Sequence, residues 1–181
     1  MPKALVPLAE GVEEIEAITI VDVLRRGEIE VMTTGLDSII VTGSHQITIM
    51  ADQILQHIKA HDYDLLVLPG GPGTKTLRED PRIIEIVKDH VAAGKLTAAV
   101  CAAPTVLSAA GVLADKRATS FPGTEADMQV GEYVHEAVVV DGKIVTSRGP
   151  GTVMAFALKL VELVQGQAIA DKLAESMVYA S

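Results

Sequence analysis

The sequence predicts an α/β fold, a mostly parallel sheet with helices and a small antiparallel ribbon. Three observations predict it. Short runs rich in Val, Ile and Leu alternate with longer segments of helical period, which is how βα units read. Glycine-rich turns follow several of the apolar runs, and one Asp141-Gly142 pair between two apolar runs marks a tight hairpin. The 181 residues are 49% hydrophobic and 22% charged, enough apolar surface for a core and too much for a disordered chain. One domain spanning 1–181 is expected, since no linker, repeat or low-complexity tract interrupts the pattern.

Ala4 to Leu8 reads as the first strand. Glu13 to Arg26 reads as a helix, because Ala17, Ile20, Val21 and Leu24 recur at i, i+3, i+4 and i+7. Glu30 to Thr34 is a second strand. Ile39 to Thr42 and Ile47 to Met50 flank Gly43-Ser44-His45-Gln46 as a hairpin or a pair of short edge strands. Asp64 to Leu68 is a strongly apolar strand ended by Pro69-Gly70-Gly71. Pro81 to Ala93 is a helix with Pro in its first turn and Gly94 after its end. Thr97 to Val100 is the next strand, and Ala102 to Ala110 reads as helix closed by Gly111. Glu136 to Val140 and Lys143 to Ser147 form the antiparallel ribbon about Asp141-Gly142, and amphipathic helices over Thr152 to Val164 and Gln167 to Met177 end the chain.

Composition narrows the function. With 15 Lys and Arg against 24 Asp and Glu the formal charge is −9, a field that repels phosphate backbones and anionic head groups, so neither nucleic acid nor membrane is an expected partner. Mean hydropathy is +0.34, yet no apolar run approaches the roughly 18 residues that span a bilayer, so the hydrophobicity belongs to a core. Met1 to Pro7 runs straight into Glu10, Glu13 and Glu14, leaving no room for the apolar region of a signal peptide. Cys101 is the only cysteine, which excludes an internal disulfide and a multi-cysteine zinc site. A reducing, cytoplasmic setting is expected.

That cysteine follows the apolar run Thr97-Ala98-Ala99-Val100 and precedes Ala102-Ala103-Pro104, so the thiol falls on a strand-to-helix turn of nucleophile-elbow type. A helix N-terminus beside it favours thiolate over thiol; the bland alternative is a buried, inert cysteine acting as a small hydrophobe. Pro69-Gly70-Gly71-Pro72-Gly73 follows another buried strand, where its N–H groups can face an oxyanion, although Pro69 and Thr74 break the phosphate-loop pattern. Ser147-Arg148-Gly149-Pro150-Gly151-Thr152 repeats the arrangement with an added Arg, a second conceivable anion-binding edge. Glu13, Glu14 and Glu16 open the first helix, where carboxylates suit the macrodipole without any site. Glu13 lies in line with the apolar stripe and Glu16 on its flank, and spacing does not choose between them. His57 and His61, four apart, would share a helical face, but no Cys or third His lies nearby and no metal site is expected.

Four blocks, Leu8-Ala9-Glu10-Gly11-Val12-Glu13-Glu14-Ile15-Glu16, Val67-Leu68-Pro69-Gly70-Gly71, Ala99-Val100-Cys101-Ala102-Ala103-Pro104 and Thr146 to Thr152, closely resemble the ThiJ/PfpI superfamily in its parkinsonism-associated deglycase branch. The resemblance implies a flavodoxin-like three-layer sandwich with helices on both faces, of the class I glutamine amidotransferase-like kind, usually a homodimer. It implies that Glu16 is protonated and donates a hydrogen bond to the thiolate of Cys101, and that the N–H groups of Gly71 and Ala102 point at the cysteine's oxygen-binding side. Gly70, Arg148, Gly149 and Pro150 join the substrate or anion-binding rim on this reading. Arg26 matches a basic residue of that rim, and His45 stands where relatives carry an Arg that reaches the partner subunit's site. Phe121 stands where many relatives carry a His, so a Cys-His dyad is missing and peptidase or amidotransferase chemistry is not expected.

The function implied is a cysteine-dependent enzyme acting on reactive α-dicarbonyls such as methylglyoxal, free or as glycated adducts, with no cofactor. The alternative is a non-catalytic redox sensor or redox-regulated holdase chaperone that uses the same oxidation-sensitive cysteine.

Overall fold

A computed structural model describes residues 1–179. In chain order its elements are β1 (Lys3–Leu8), α1 (Glu14–Arg26), β2 (Glu30–Gly35), β3 (Ile40–Thr42), β4 (Thr48–Met50), β5 (Gln53–Ile54), β6 (Leu65–Leu68), α2 (Thr74–Glu79), α3 (Pro81–Ala92), β7 (Leu96–Val100) and α4 (Pro104–Ala109). There follow β8 (Arg117–Ala118), β9 (Glu132–Tyr133), β10 (Val138–Asp141), β11 (Ile144–Ser147), α5 (Val153–Gln165) and α6 (Gln167–Ser176). The main sheet runs β10-β11-β7-β6-β1-β2-β5, parallel except for the antiparallel β10–β11 ribbon. It is the expected flavodoxin-like sandwich, and β3–β4 forms the expected separate hairpin.

Period two along the buried strands divides the core. Ala4, Val6, Leu65, Val67, Ala98 and Val100 pack on one face with Ile20 and Leu24 of α1 and Phe156 of α5. Leu5, Leu66, Leu68 and Ala99 pack on the other with Leu77, Ile83 and Leu107 of α2, α3 and α4. The chain leaves β1 toward β2 and returns to place β6 on the other side of β1, so the winding direction reverses between β1 and β6. Helices consequently cover both faces, and the turns after β1, β6 and β7 converge at the carboxyl edge beside that reversal, where open α/β sheets bind ligands.

Two expectations are corrected. The segment 102–103 is turn, and α4 begins at Pro104, because Cys101 has a left-handed backbone and Pro is suited to the first helical position. On α1 the buried partner of Leu24 is Val23, while Val21 is only partly buried and Ile15 and Ile18 are exposed. Helix α2 and the two-residue strands β5, β8 and β9 were not expected, being too short to show a period. No helix among the described residues is long and apolar enough to cross a membrane.

Candidate active site

Cys101 stands at the carboxyl end of β7 with φ of 63°. A non-glycine residue held there costs about 1–3 kcal/mol and persists only where its surroundings fix it. Here both main-chain groups are clamped: the Cys101 N–H donates to the Ser147 carbonyl at 3.1 Å, and its carbonyl accepts from the Phe121 N–H at 2.8 Å. The sharp turn carries the thiol toward the start of α1, and the residue is 7% exposed.

Glu16, in the first turn of α1, is fully buried. Glu13 is the N-cap and accepts from the Glu16 N–H at 2.8 Å, which starts the helix at the position that aims Glu16 inward. The Glu13 N–H in turn donates to the Gly70 carbonyl at 3.0 Å, and the Gly70 N–H donates to Glu16 Oε2 at 2.8 Å. A Cβ on Gly70 would lie 2.5 Å from Cys101 Cβ and 2.7 Å from Glu16 Oε2, so only glycine lets the three turns close on one another. Gly71 has φ of 93°, and a Cβ there would meet the Glu13 N at 2.5 Å. Its N–H and that of Ala102 lie close enough to the Cys101 sulfur to favour the thiolate. Of the glycine-rich turn after β6 only the Gly71 amide faces the nucleophile, since the Gly70 and Gly73 amides are spent on Glu16 and on the Gly11 carbonyl.

Glu16 and the thiol are within hydrogen-bonding reach and compete for protons. Burial pushes Glu16 up to about 7, against the pull of the Gly70 amide and of Cys101. Its Oε1 is buried without a well-aligned hydrogen-bond partner, the oxygen left to carry a proton. Burial pushes the Cys101 thiol up to about 12, and repulsion from an ionised Glu16 adds to the rise while the Gly71 and Ala102 amides oppose it. This differs from the lowered thiol expected of a helix N-terminus. The part of the rise due to repulsion belongs to the state in which Glu16 has already lost its proton, whereas the larger part due to burial is present in either state. With the proton on Glu16 the repulsion vanishes and the carboxylic O–H becomes a donor to sulfur. The two groups therefore titrate as a coupled pair, the Gly71 and Ala102 amides drawing the charge toward sulfur and the Gly70 amide holding it at the carboxylate.

The outer rim departs from expectation. The Arg148 and Gly149 N–H groups both donate to Thr152 Oγ1, at 3.1 and 3.0 Å, so the turn through Pro150 closes on its own hydroxyl and presents neither amide to an anion. The Arg148 guanidinium donates to the Ser120 carbonyl. Arg26 lies at the far end of α1, roughly 15 Å along the helix axis from Glu16, paired with Asp22 at 2.7 Å; within the chain it does not reach the site. His45 folds back onto Glu14, whose carboxylate accepts from the His45 N–H at 2.6 Å and contacts His45 Nδ1 at 2.9 Å. Burial would raise Glu14, but those hydrogen bonds outweigh it and hold the carboxyl at about 2, and the same contact raises His45. Donor atoms of Glu13, Glu14 and His45 gather within 4.8 Å, the cluster of the described residues best placed to hold a cation, yet Glu14 is already committed to the 43–47 loop. His57 and His61 occupy two separate short turns broken by extended Ile58 and share no helical face. Sequence reasoning missed the Glu13 cap, the Gly70 bridge and the Ser147 and Phe121 clamps. Only the first had a sequence signal, the acidic side chain three residues before Glu16.

A profile described as the DJ-1/PfpI family matches residues 2–163. Protein DJ-1 homolog B of Arabidopsis thaliana is 40% identical over 169 residues, 91% of this chain but 39% of that protein's length. The glutathione-independent glyoxalase DJR-1.2 of Caenorhabditis elegans is 38% identical over 158 residues, 87% of this chain and 85% of that one. The solved structure of Toxoplasma gondii DJ-1, oxidized, is 37% identical with a TM-score of 0.96 and 100% of each chain covered. The similarity extends through all the turns that meet at Cys101.

Proposed function

The chain belongs to the DJ-1/PfpI family, and from that premise we propose that it is a cofactor-independent enzyme converting reactive α-dicarbonyls such as methylglyoxal, free or as adducts on amines and thiols, to the hydroxy-acid level. The observation that carries the proposal is the elbow: one cysteine at φ 63° with the Gly71 and Ala102 amides and the buried Glu16 against it. Sγ adds to the aldehyde carbon, and the amides stabilise the charge that develops on its oxygen. Glu16 takes the proton from that carbon and returns it to the adjacent carbonyl carbon, which is reduced as the first becomes a thioester. Water cleaves the thioester to lactate and free thiol, so one water is added and no external oxidant or reductant is needed. A carboxyl near 7 suits a group that both accepts and donates a proton at neutral pH. A relative named a glutathione-independent glyoxalase supports this chemistry. Lactate formation from methylglyoxal by reduced, metal-free protein tests it: activity is expected in the wild type and lost in Cys101→Ser. Folded, reduced wild type that forms no lactate overturns the proposal.

A second reading, a redox sensor or holdase chaperone, draws on a relative whose solved form is described as oxidized. Cys101 has no second cysteine with which to form an internal disulfide, so oxidation is expected to pass the sulfenic stage and stop at a sulfinate held by the Gly71 and Ala102 amides. Suppression of client aggregation by oxidised protein that forms no lactate selects this reading. Both readings place the protein in the cytoplasm as a homodimer. Ile15 and Ile18, 57% and 51% exposed on α1, and Ile47 and Met50 of the adjoining β3–β4 hairpin offer an apolar face for a second copy.

A further inference from the structure

Phe121 belongs to the frame of the nucleophile, yet the chemistry above does not use it. Its main chain is fully committed: the N–H holds the Cys101 carbonyl at 2.8 Å, and its carbonyl accepts from the Thr124 N–H at 3.1 Å and from Thr124 Oγ1 at 2.8 Å. The preceding Ser120 is tied to Tyr133 through its N–H and Oγ, and its carbonyl accepts from the Arg148 Nε. The root of the side chain is therefore fixed relative to the elbow. The residue is 45% exposed, and its ring lies over Gly149, where an added Cβ would come within 3.3 Å of Cδ2 and 3.6 Å of Cε2. Glu16 occupies the buried side of Cys101, so a substrate bonded to Sγ extends its remaining carbon chain toward solvent. Phe121, hydrogen-bonded through its N–H to Cys101 and packed on the turn after β11 whose Ser147 carbonyl holds the Cys101 N–H, is a half-exposed side chain rooted beside that opening. A phenyl group exchanges no proton and donates no hydrogen bond; what it supplies is a flat apolar face.

We propose that Phe121 is a specificity-determining residue, an aromatic platform at the mouth of the Cys101 site that favours α-dicarbonyls carrying an aryl or similarly flat apolar substituent over those carrying a methyl group. The identification of the ligand as a dicarbonyl rests on the function proposed above, whereas the platform rests on the placement of the ring. Offset or edge-on contact between the ring and an aryl substituent contributes about three- to tenfold. Gly149 lets the ring lie close against the turn after β11, and the fixed main chain holds the root of the side chain at the site.

The test compares wild type, Phe121→Leu and Phe121→Tyr, all checked for unchanged thermal melting. The first readout is the ratio of kcat/KM for phenylglyoxal to that for methylglyoxal. The second, independent of turnover, is the ratio of second-order rates at which N-phenylmaleimide and N-methylmaleimide capture Cys101, followed by intact mass. Both ratios are expected to fall about three- to tenfold in Phe121→Leu and to be retained in Phe121→Tyr, which keeps the ring. Ratios equal in wild type and Phe121→Leu overturn the platform even where dicarbonyls are turned over. A maleimide ratio that falls in a protein turning over neither dicarbonyl supports the platform and rejects the dicarbonyl reaction.

Discussion

Replacing Glu16 by Gln removes a fully buried carboxyl whose titration is displaced to near neutral pH. A carboxyl raised from 4.5 to about 7 holds its proton more tightly in the folded than in the unfolded chain. The folded state binds the extra proton between those values, so stability is fully present below the unfolded value and is lost as pH rises through the folded one. At about 1.36 kcal/mol per unit the loss amounts to about 3 kcal/mol between pH 4.5 and 7.5. For a chain of this length that is roughly 10 °C in melting temperature. Gln keeps the volume and an acceptor for the Gly70 amide but carries no proton to lose. The difference in stability between wild type and Glu16→Gln, measured by urea unfolding at half-unit steps from pH 4.5 to 7.5, is therefore expected to change by about 3 kcal/mol in favour of the variant as pH rises. Every shared group that does not interact with Glu16 cancels in that difference. Ultraviolet absorbance of the thiolate, recorded on the same samples, is expected to grow across the window in wild type if the charge of the pair settles on sulfur. Parallel stability curves would refute the reasoning, because they would mean that Glu16 titrates alike in the folded and unfolded chain.

Gly70→Ala places a methyl group 2.5 Å from Cys101 Cβ; it is expected to destabilise the fold by about 2–3 kcal/mol in urea and to slow alkylation of Cys101, and wild-type stability in this variant would contradict the close packing of the three turns. Glu14→Gln is expected to lower the midpoint at which the His45 ring titrates by NMR, since the carboxylate held at about 2 is what raises it. The sign differs for the two partners: the His45 contribution is present below its ordinary range and fades as pH rises through its folded value, whereas that of Glu14 is lost as pH falls toward 2. An unchanged His45 midpoint would show that the contact is not formed in solution. Ile18→Asp, on the exposed apolar face of α1, is expected to yield a monomer by light scattering where wild type is a dimer, and a dimeric variant would remove this face from the interface.

The order of strands and helices was legible in the sequence because it rests on local periodicity. The apolar run Ala4 to Leu8 and the i, i+3, i+4 recurrence in Glu13 to Arg26 are properties of neighbours along the chain, as is the strand-Cys-helix sequence that placed Cys101 on an elbow. The resemblance of four short blocks then supplied the choice of Glu16, which periodicity had left open between it and Glu13. Tertiary structure decided what each of these groups touches. Glu13 and Glu16 are both buried, and they differ only because one caps the helix while the other meets the Gly70 amide, 54 residues away. The same holds for the outer rim. Arg148 turns to Ser120, His45 is captured by Glu14, and Arg26 lies at the far end of its helix, although the resemblance put all three on one rim. A side chain's charge is written at its own position, but its partner and its distance from the thiol are set by segments far apart in sequence that the winding of the sheet brings to one edge.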